Sequence, residues 1–262
     1  MDVMPAAVTP FDAQGAVDRA GIARLLAHFR AEGATGVVVG GTTGEGPSLT
    51  SFERRELVRT AVPLAHGLPV WLGIATPSLE EAVWLAREAH KAGVAGVLAM
   101  PPFFHRDLDP TPWLRAFLDR APGDVLLYHF PRFAPSLLDV AAALADHPRL
   151  AGLKDSSGER ANLTRFAAAL PGKRLFVGDE TLLAEAIALG WTGTISGAAN
   201  VLCRELAGAL TDENGESRGV KLELLLPRLR EIRSTPQPMG HKRTLVERGV
   251  LERADVRLPL VG

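Results

Sequence analysis

Eight alternations of a short apolar run with a longer amphipathic segment, each pair spanning about 25 to 30 residues, predict an α/β chain folded as a (β/α)8 TIM barrel with a short C-terminal helical extension. Two further observations favour closure of the sheet. Runs such as Gly36-Val37-Val38-Val39 and Val125-Leu126-Leu127 are apolar on consecutive residues, which suits parallel strands buried on both faces. After the first strand, where a doubly wound open sheet would carry a glycine fingerprint for a nucleotide, the chain reads Thr9-Pro10-Phe11-Asp12. The open sheet, with tight dinucleotide binding, is the competing architecture.

The strands fall in order at 3–8, 36–39, 70–74, 96–100, 125–129, 151–154, 175–177 and 193–196. Helical patterns begin near Arg19, Phe52, Leu79, Pro112, Leu138, Arg160, Leu182 and Val201. The second helix has a start signal: Thr50 followed by Glu53 reads as a capping box, each side chain satisfying a free backbone N–H. After Thr211 the pattern changes to a helix over about 216–232, a break at Pro236 and Pro238, and a last helical stretch over 241–252. Residues 1–214 are therefore read as the catalytic barrel and 215–262 as a helical extension without a core of its own.

Composition narrows the functions. With 47% hydrophobic and 23% charged residues over 262 positions, the chain is globular and neither disordered nor collagen-like. A net charge of -1 provides no basic field for nucleic acid, and no apolar run reaches the length of a membrane helix. Cys203 is the sole cysteine and the N-terminus lacks a secretory pattern, so a cytoplasmic location is expected. The seven histidines lack metal-binding spacing, and no metal is expected. Only five of the 29 basic residues are lysines, and Tyr128 is the one tyrosine beside ten phenylalanines. A residue type used so sparingly is informative where it occurs.

In a (β/α)8 barrel, chemistry gathers where strands run out into the following loops, and the polar exceptions of this sequence lie there. Lys154 ends the sixth apolar strand. A buried ammonium without a partner sooner loses its proton, so Lys154 is either half of a structural ion pair, with Asp155 or Glu45, or a nucleophilic amine that forms a Schiff base with a carbonyl substrate. Tyr128 ends the neighbouring strand; it is either an interior aromatic or a proton relay, since a phenol both donates and accepts. The loop Gly40 to Gly46 lacks the lysine and spacing of a nucleotide P-loop, but Thr42 and Thr43 within it make a cradle suited to a carboxylate. Asp179 and Glu180 are solvated loop acids, helix caps or ligands for sugar hydroxyls. His105 and His129, near strand ends, are candidate substrate contacts.

Assembled, these residues resemble the dihydrodipicolinate synthase and N-acetylneuraminate lyase family of pyruvate-dependent class I aldolases. The resemblance covers 3–260 and is carried by Gly41-Thr42-Thr43-Gly44-Glu45, Tyr128-x-x-Pro131, Gly152-Leu153-Lys154-Asp155-x-x-Gly158 and Gly193-x-Ile195-Ser196-x-x-x-Asn200, in the family's order. It implies that Lys154 forms the Schiff base, that Tyr128 and Thr43 serve catalysis, and that Thr42 and Thr43 hold the pyruvate carboxylate, with no diffusible cofactor beyond the lysine imine. Gly44, Ser156, Asp179, Glu180, Ile195 and Ser196 are implied to line the substrate site.

The sequence also departs from the synthase pattern. Phe133 occupies the position of an arginine, with Arg132 beside it; Phe104 replaces a second tyrosine usually lent by a neighbouring subunit; His129 replaces an asparagine. Gly178-Asp179-Glu180 instead resembles the hydroxyl-binding segment of sugar-acid lyases. The leading expectation is therefore an aldolase or lyase that joins pyruvate to an aldehyde, or cleaves a 2-keto-3-deoxy sugar acid into them. 4-Hydroxy-tetrahydrodipicolinate synthesis and a sugar-acid dehydratase using the same lysine are the alternatives, and a non-catalytic binding barrel ranks below them. A homo-oligomer, dimer or tetramer, is expected. The chain stops just after Arg257-Leu258-Pro259, earlier than is typical of the family, which predicts curtailed C-terminal helices.

Overall fold

Each apolar run pairs in parallel with the next, and the last pairs with the first. The computed structural model describes residues 1–104 and 107–260, so His105 lies outside the described residues. The strands are β1 (Asp2–Pro5), β2 (Val37–Val39), β3 (Val70–Ile74), β4 (Gly96–Ala99), β5 (Asp124–His129), β6 (Leu150–Asp155), β7 (Arg174–Val177) and β8 (Gly193–Ser196). They run consecutively from β2 to β8, and β8 pairs with β1. A bridge between Ala6 and Val38 completes the circle, with the Ala7 N–H donating to the Val38 carbonyl at 2.9 Å. The barrel is closed, which overturns the open doubly wound alternative.

Strand alternation divides the apolar residues into two populations. Met4, Val38, Trp71, Leu98, Leu126, Phe176 and Ile195 pack together inside the barrel. Their neighbours Val3, Val37, Leu72, Val97, Leu127 and Leu175 point outward into the layer shared with the helices. The first strand ends earlier than 8 because Asn200 captures it: its amide oxygen accepts from the Val8 N–H at 3.0 Å and its Nδ2 donates to the Ala6 carbonyl at 2.8 Å.

The helices are α1 (Arg19–Ala31), α2 (Ser51–Leu64), α3 (Leu79–Ala92), α4 (Thr111–Arg120), α5 (Ala141–Leu144), α6 (Arg160–Ala169), α7 (Leu183–Ala188), α8 (Ala199–Leu210), α9 (Gly215–Ser234) and α10 (Met239–Glu247). The Thr50/Glu53 capping box is formed at the start of α2. The expected helix from Leu138 shrinks to the single turn of α5, bounded by Pro135 and by Pro148, which disfavours helix in the residue before it. The last helix stops at Glu247 rather than 252 because Gly249 takes a positive φ of 70°. Leu222, Leu225 and Leu229 of α9 and Leu245 of α10 enter the same core as the barrel helices. No helix among the described residues is long and apolar enough to cross a membrane.

Candidate active site

Register decides which strand-end side chains meet. Tyr128 lies opposite Lys154, which lies opposite Phe176; because parallel partners in register share a face, all three point into the barrel. The Lys154 Nζ sits 4.4 Å from the centre of the Tyr128 ring. Both residues are 5% exposed, and among the described residues no carboxylate forms a salt bridge with Lys154. The two candidate partners are engaged elsewhere: Glu45 pairs with Lys242, and Asp155 accepts from the Ser157 N–H at 2.8 Å and from its hydroxyl at 3.0 Å. Neither Asp155 nor Glu45 is therefore the ion-pair partner of Lys154. Gly178 makes room for the lysine, since a Cβ there would collide with Lys154 Cε and Ser156 Oγ.

The same alternation turns the next pair away. His129 and Asp155 are in register with Val177 and face outward, where the His129 ring meets Phe166 of α6 edge-on at 5.0 Å. The Leu137 N–H donates to His129 Nδ1 at 3.1 Å, which leaves the proton of the neutral ring on Nε2, 3.9 Å from Asp155 Oδ1. Burial pushes the His129 pKa down to about 4 and that of Asp155 up to about 6.

The threonine loop closes the third side. Thr42 Oγ1 and the Tyr128 hydroxyl are hydrogen-bonded at 3.3 Å. Gly44 is required by close approach: a Cβ would lie 2.7 Å from the Ala7 carbonyl oxygen. Thr9 Oγ1 donates to the Gly44 carbonyl at 2.5 Å, and the Gly46 N–H to the Gly41 carbonyl at 2.9 Å, so the turn is fixed from beneath.

These groups open into one cavity of ≈ 680 Å³. Of the residues singled out in the sequence, Lys154, Tyr128, Thr42, Thr43, Ser156, Glu180 and Phe133 line it. Gly44, Ile195 and Ser196 support the wall from behind, and Phe104, 79% exposed, is not part of it. Phe133 stands on the rim, edge-on to Phe130 at 4.8 Å. The acid pair is already partnered: Arg233 of α9 bonds Asp179 at 2.8 Å and Glu180 at 3.1 Å, and Glu180 also accepts from the Ser196 hydroxyl and the Ala198 N–H. Sequence reasoning missed Arg233, Thr235, Pro236 and Gln237, which form the far wall. Their one signal was a polar, proline-broken stretch between two helices, and its position over the mouth depends on how α9 packs. Among the described residues no cluster of His, Cys, Asp and Glu could hold a metal ion.

A closed parallel barrel with a buried lysine and tyrosine on adjacent strand ends, facing a threonine cradle, defines the class: a barrel lyase of the pyruvate-dependent class I type. The chain belongs to the dihydrodipicolinate synthetase family, whose model matches residues 1–262. It is 32% identical over 265 residues to the 4-hydroxy-tetrahydrodipicolinate synthase of Chlamydia pneumoniae, covering 99% of this chain and 89% of that one. With the enzyme of the same name from Azoarcus sp. (strain BH72) the identity is 34% over 266 residues, covering 97% and 90%. Among solved structures, a dihydrodipicolinate synthase from Bacillus anthracis superposes with a TM-score of 0.93 at 29% identity, covering 99% and 92% of the two chains. A monomeric dihydrodipicolinate synthase variant gives a TM-score of 0.91 at 26% identity, covering 99% and 90%.

Proposed function

We propose that this chain is a Schiff-base-forming, pyruvate-dependent aldolase that cleaves a 2-keto-3-deoxy sugar acid into pyruvate and an aldehyde, or forms it from them. The observation that carries the reading is the buried Lys154 amine, without a salt bridge among the described residues, beside Tyr128, whose hydroxyl bonds Thr42 across the same cavity. The Lys154 amine adds to C2 of the 2-keto acid and expels its oxygen as water, while Thr42 and Thr43 hold the carboxylate. The iminium withdraws electrons as the C3–C4 bond breaks, and Tyr128 takes the proton of the C4 hydroxyl. The aldehyde leaves; the enamine takes a proton at C3, and water releases pyruvate and the free amine. The reverse sequence is aldol addition. No diffusible cofactor enters, because the lysine imine is itself the electron sink.

The sugar-acid reading is supported by the cavity lining, where Ser156, Thr235 and Gln237 bring hydroxyl and amide groups to the space that a hydroxylated chain would fill. A second reading, 4-hydroxy-tetrahydrodipicolinate synthase, is favoured by the names of the similar enzymes. Borohydride reduction with pyruvate, followed by peptide mass mapping, tests the chemistry: the expected mass increase falls on the Lys154 peptide alone, and its absence from folded protein overturns the proposal. Product analysis on 2-keto-3-deoxy sugar acids then decides the substrate. Pyruvate release supports the aldolase, water loss without pyruvate means a dehydratase, and faster turnover of pyruvate with the synthases' own aldehyde supports the second reading. A dimer or tetramer belongs to the same proposal, with sedimentation of the purified chain as its measurement.

A further inference from the structure

The threonine cradle is held from behind by the C-terminal segment. Glu45 sits in its loop at φ 56° and ψ 27°, the left-handed region that disfavours any residue with a Cβ. Glycine would meet that conformation without strain, and the loop uses glycine at positions 40, 41, 44 and 46. A glutamate there is explained by what its side chain reaches. The carboxylate is fully enclosed, accepting from Lys242 Nζ at 2.5 Å on one oxygen and from the Arg257 N–H at 2.8 Å on the other. Lys242, also fully buried, donates to the Asp255 carbonyl at 2.6 Å and lies 4.3 Å from the centre of the Phe11 ring. Glu45 in turn is tied to the cradle, because its N–H donates to the Thr42 carbonyl at 3.1 Å.

We infer that Lys242 is a positioning residue: through Glu45 it fixes the turn on which Thr42 and Thr43 present their hydroxyls, and so sets the affinity for the substrate carboxylate. The inference rests on the proposed role of the two threonines. Its logic is geometric, since a hydroxyl pair displaced by an ångström still lines the cavity but no longer fits a planar anion held at Lys154.

The test uses Lys242→Met and, as a variant that keeps the shape of the site, Glu45→Gln. Both are expected to raise the pyruvate concentration needed for half-maximal borohydride trapping at Lys154 by about tenfold or more. The KM for the aldehyde stays within about threefold of wild type. Backbone amide exchange over residues 41–46 accelerates in both, whereas β3 and β4 keep their protection. Unchanged pyruvate dependence in either folded variant overturns the inference. So does weakening by Lys242→Met with Glu45→Gln unaffected, which would trace the effect to repulsion by a bare buried carboxylate. Failure of wild-type protein to trap pyruvate sinks the aldolase reading instead; the exchange measurement then decides the clamp alone, and unaltered exchange over 41–46 ends it.

Discussion

The barrel mouth and its C-terminal cover each contain a buried lysine, and the two are treated in opposite ways. Lys242 is enclosed with a carboxylate, a carbonyl and an aromatic face around its ammonium. Lys154 has an aromatic neighbour and an open cavity, and no salt bridge among the described residues. Burial is thus common to a structural and a reactive lysine, and what separates them is whether the surrounding acids have been spent on the amine. At the mouth Asp155 is turned behind the sheet, Asp179 and Glu180 are given to Arg233, and Glu45 is given to Lys242.

Substituting methionine at each lysine is the strongest way to break this comparison. Lys154→Met is expected to lower turnover by roughly 10⁴-fold or more and to abolish pyruvate trapping. Its urea midpoint should stay level or rise, because no buried partner is stranded. Lys242→Met reverses the pattern: it leaves the Glu45 carboxylate enclosed without its cation, a loss of about 3 to 5 kcal/mol in chemical denaturation. Equal stability effects at the two positions would erase the distinction. Tyr128→Phe sharpens the reactive side, with trapping retained and turnover lower by about a hundredfold in steady-state assays; unchanged turnover would remove the phenol from the reaction.

The smallest effect lies in the pH dependence of stability. Around Lys154, His129 is lowered by burial to about 4 and Asp155 raised by burial to about 6. Between those values the native state lacks a proton at the imidazole that the unfolded chain binds, and holds one at the carboxyl that the unfolded chain releases. The two slopes oppose and cancel. Beside Lys242, burial lowers His241 to about 4 with no raised acid to offset it, so this group's contribution grows as pH increases. The contribution of His241 to stability should therefore rise by roughly 1.4 kcal/mol per pH unit over this interval, and His241→Asn should reduce the slope by that amount. Urea midpoints across the pH series provide the check.

Much of this was legible in the chain itself. Lys154, Tyr128 and Thr42 declared themselves because each ends or follows an apolar run at the same end of the barrel, and because lysine and tyrosine are scarce. Alternation also held an unused clue about His129: adjacent to Tyr128 on one strand, it could not face the same side. The partnership of Asp179 and Glu180 with Arg233 was not legible, since 53 and 54 residues separate them and only the docking of α9 brings them together. Thr235, Pro236 and Gln237 were hidden for the same reason, as was the Lys242–Glu45 pair, whose members lie 197 positions apart.

Glycines leave the strand ends little latitude. Gly178 has no space for even a methyl beside Lys154, and Gly44 none beside Ala7. The connection between α9 and α10 is freer, because Thr235, Pro236 and Gln237 are solvent-exposed while still lining the cavity. A library meant to redirect this catalyst toward other aldehydes would therefore randomise those three codons and leave the strand termini alone.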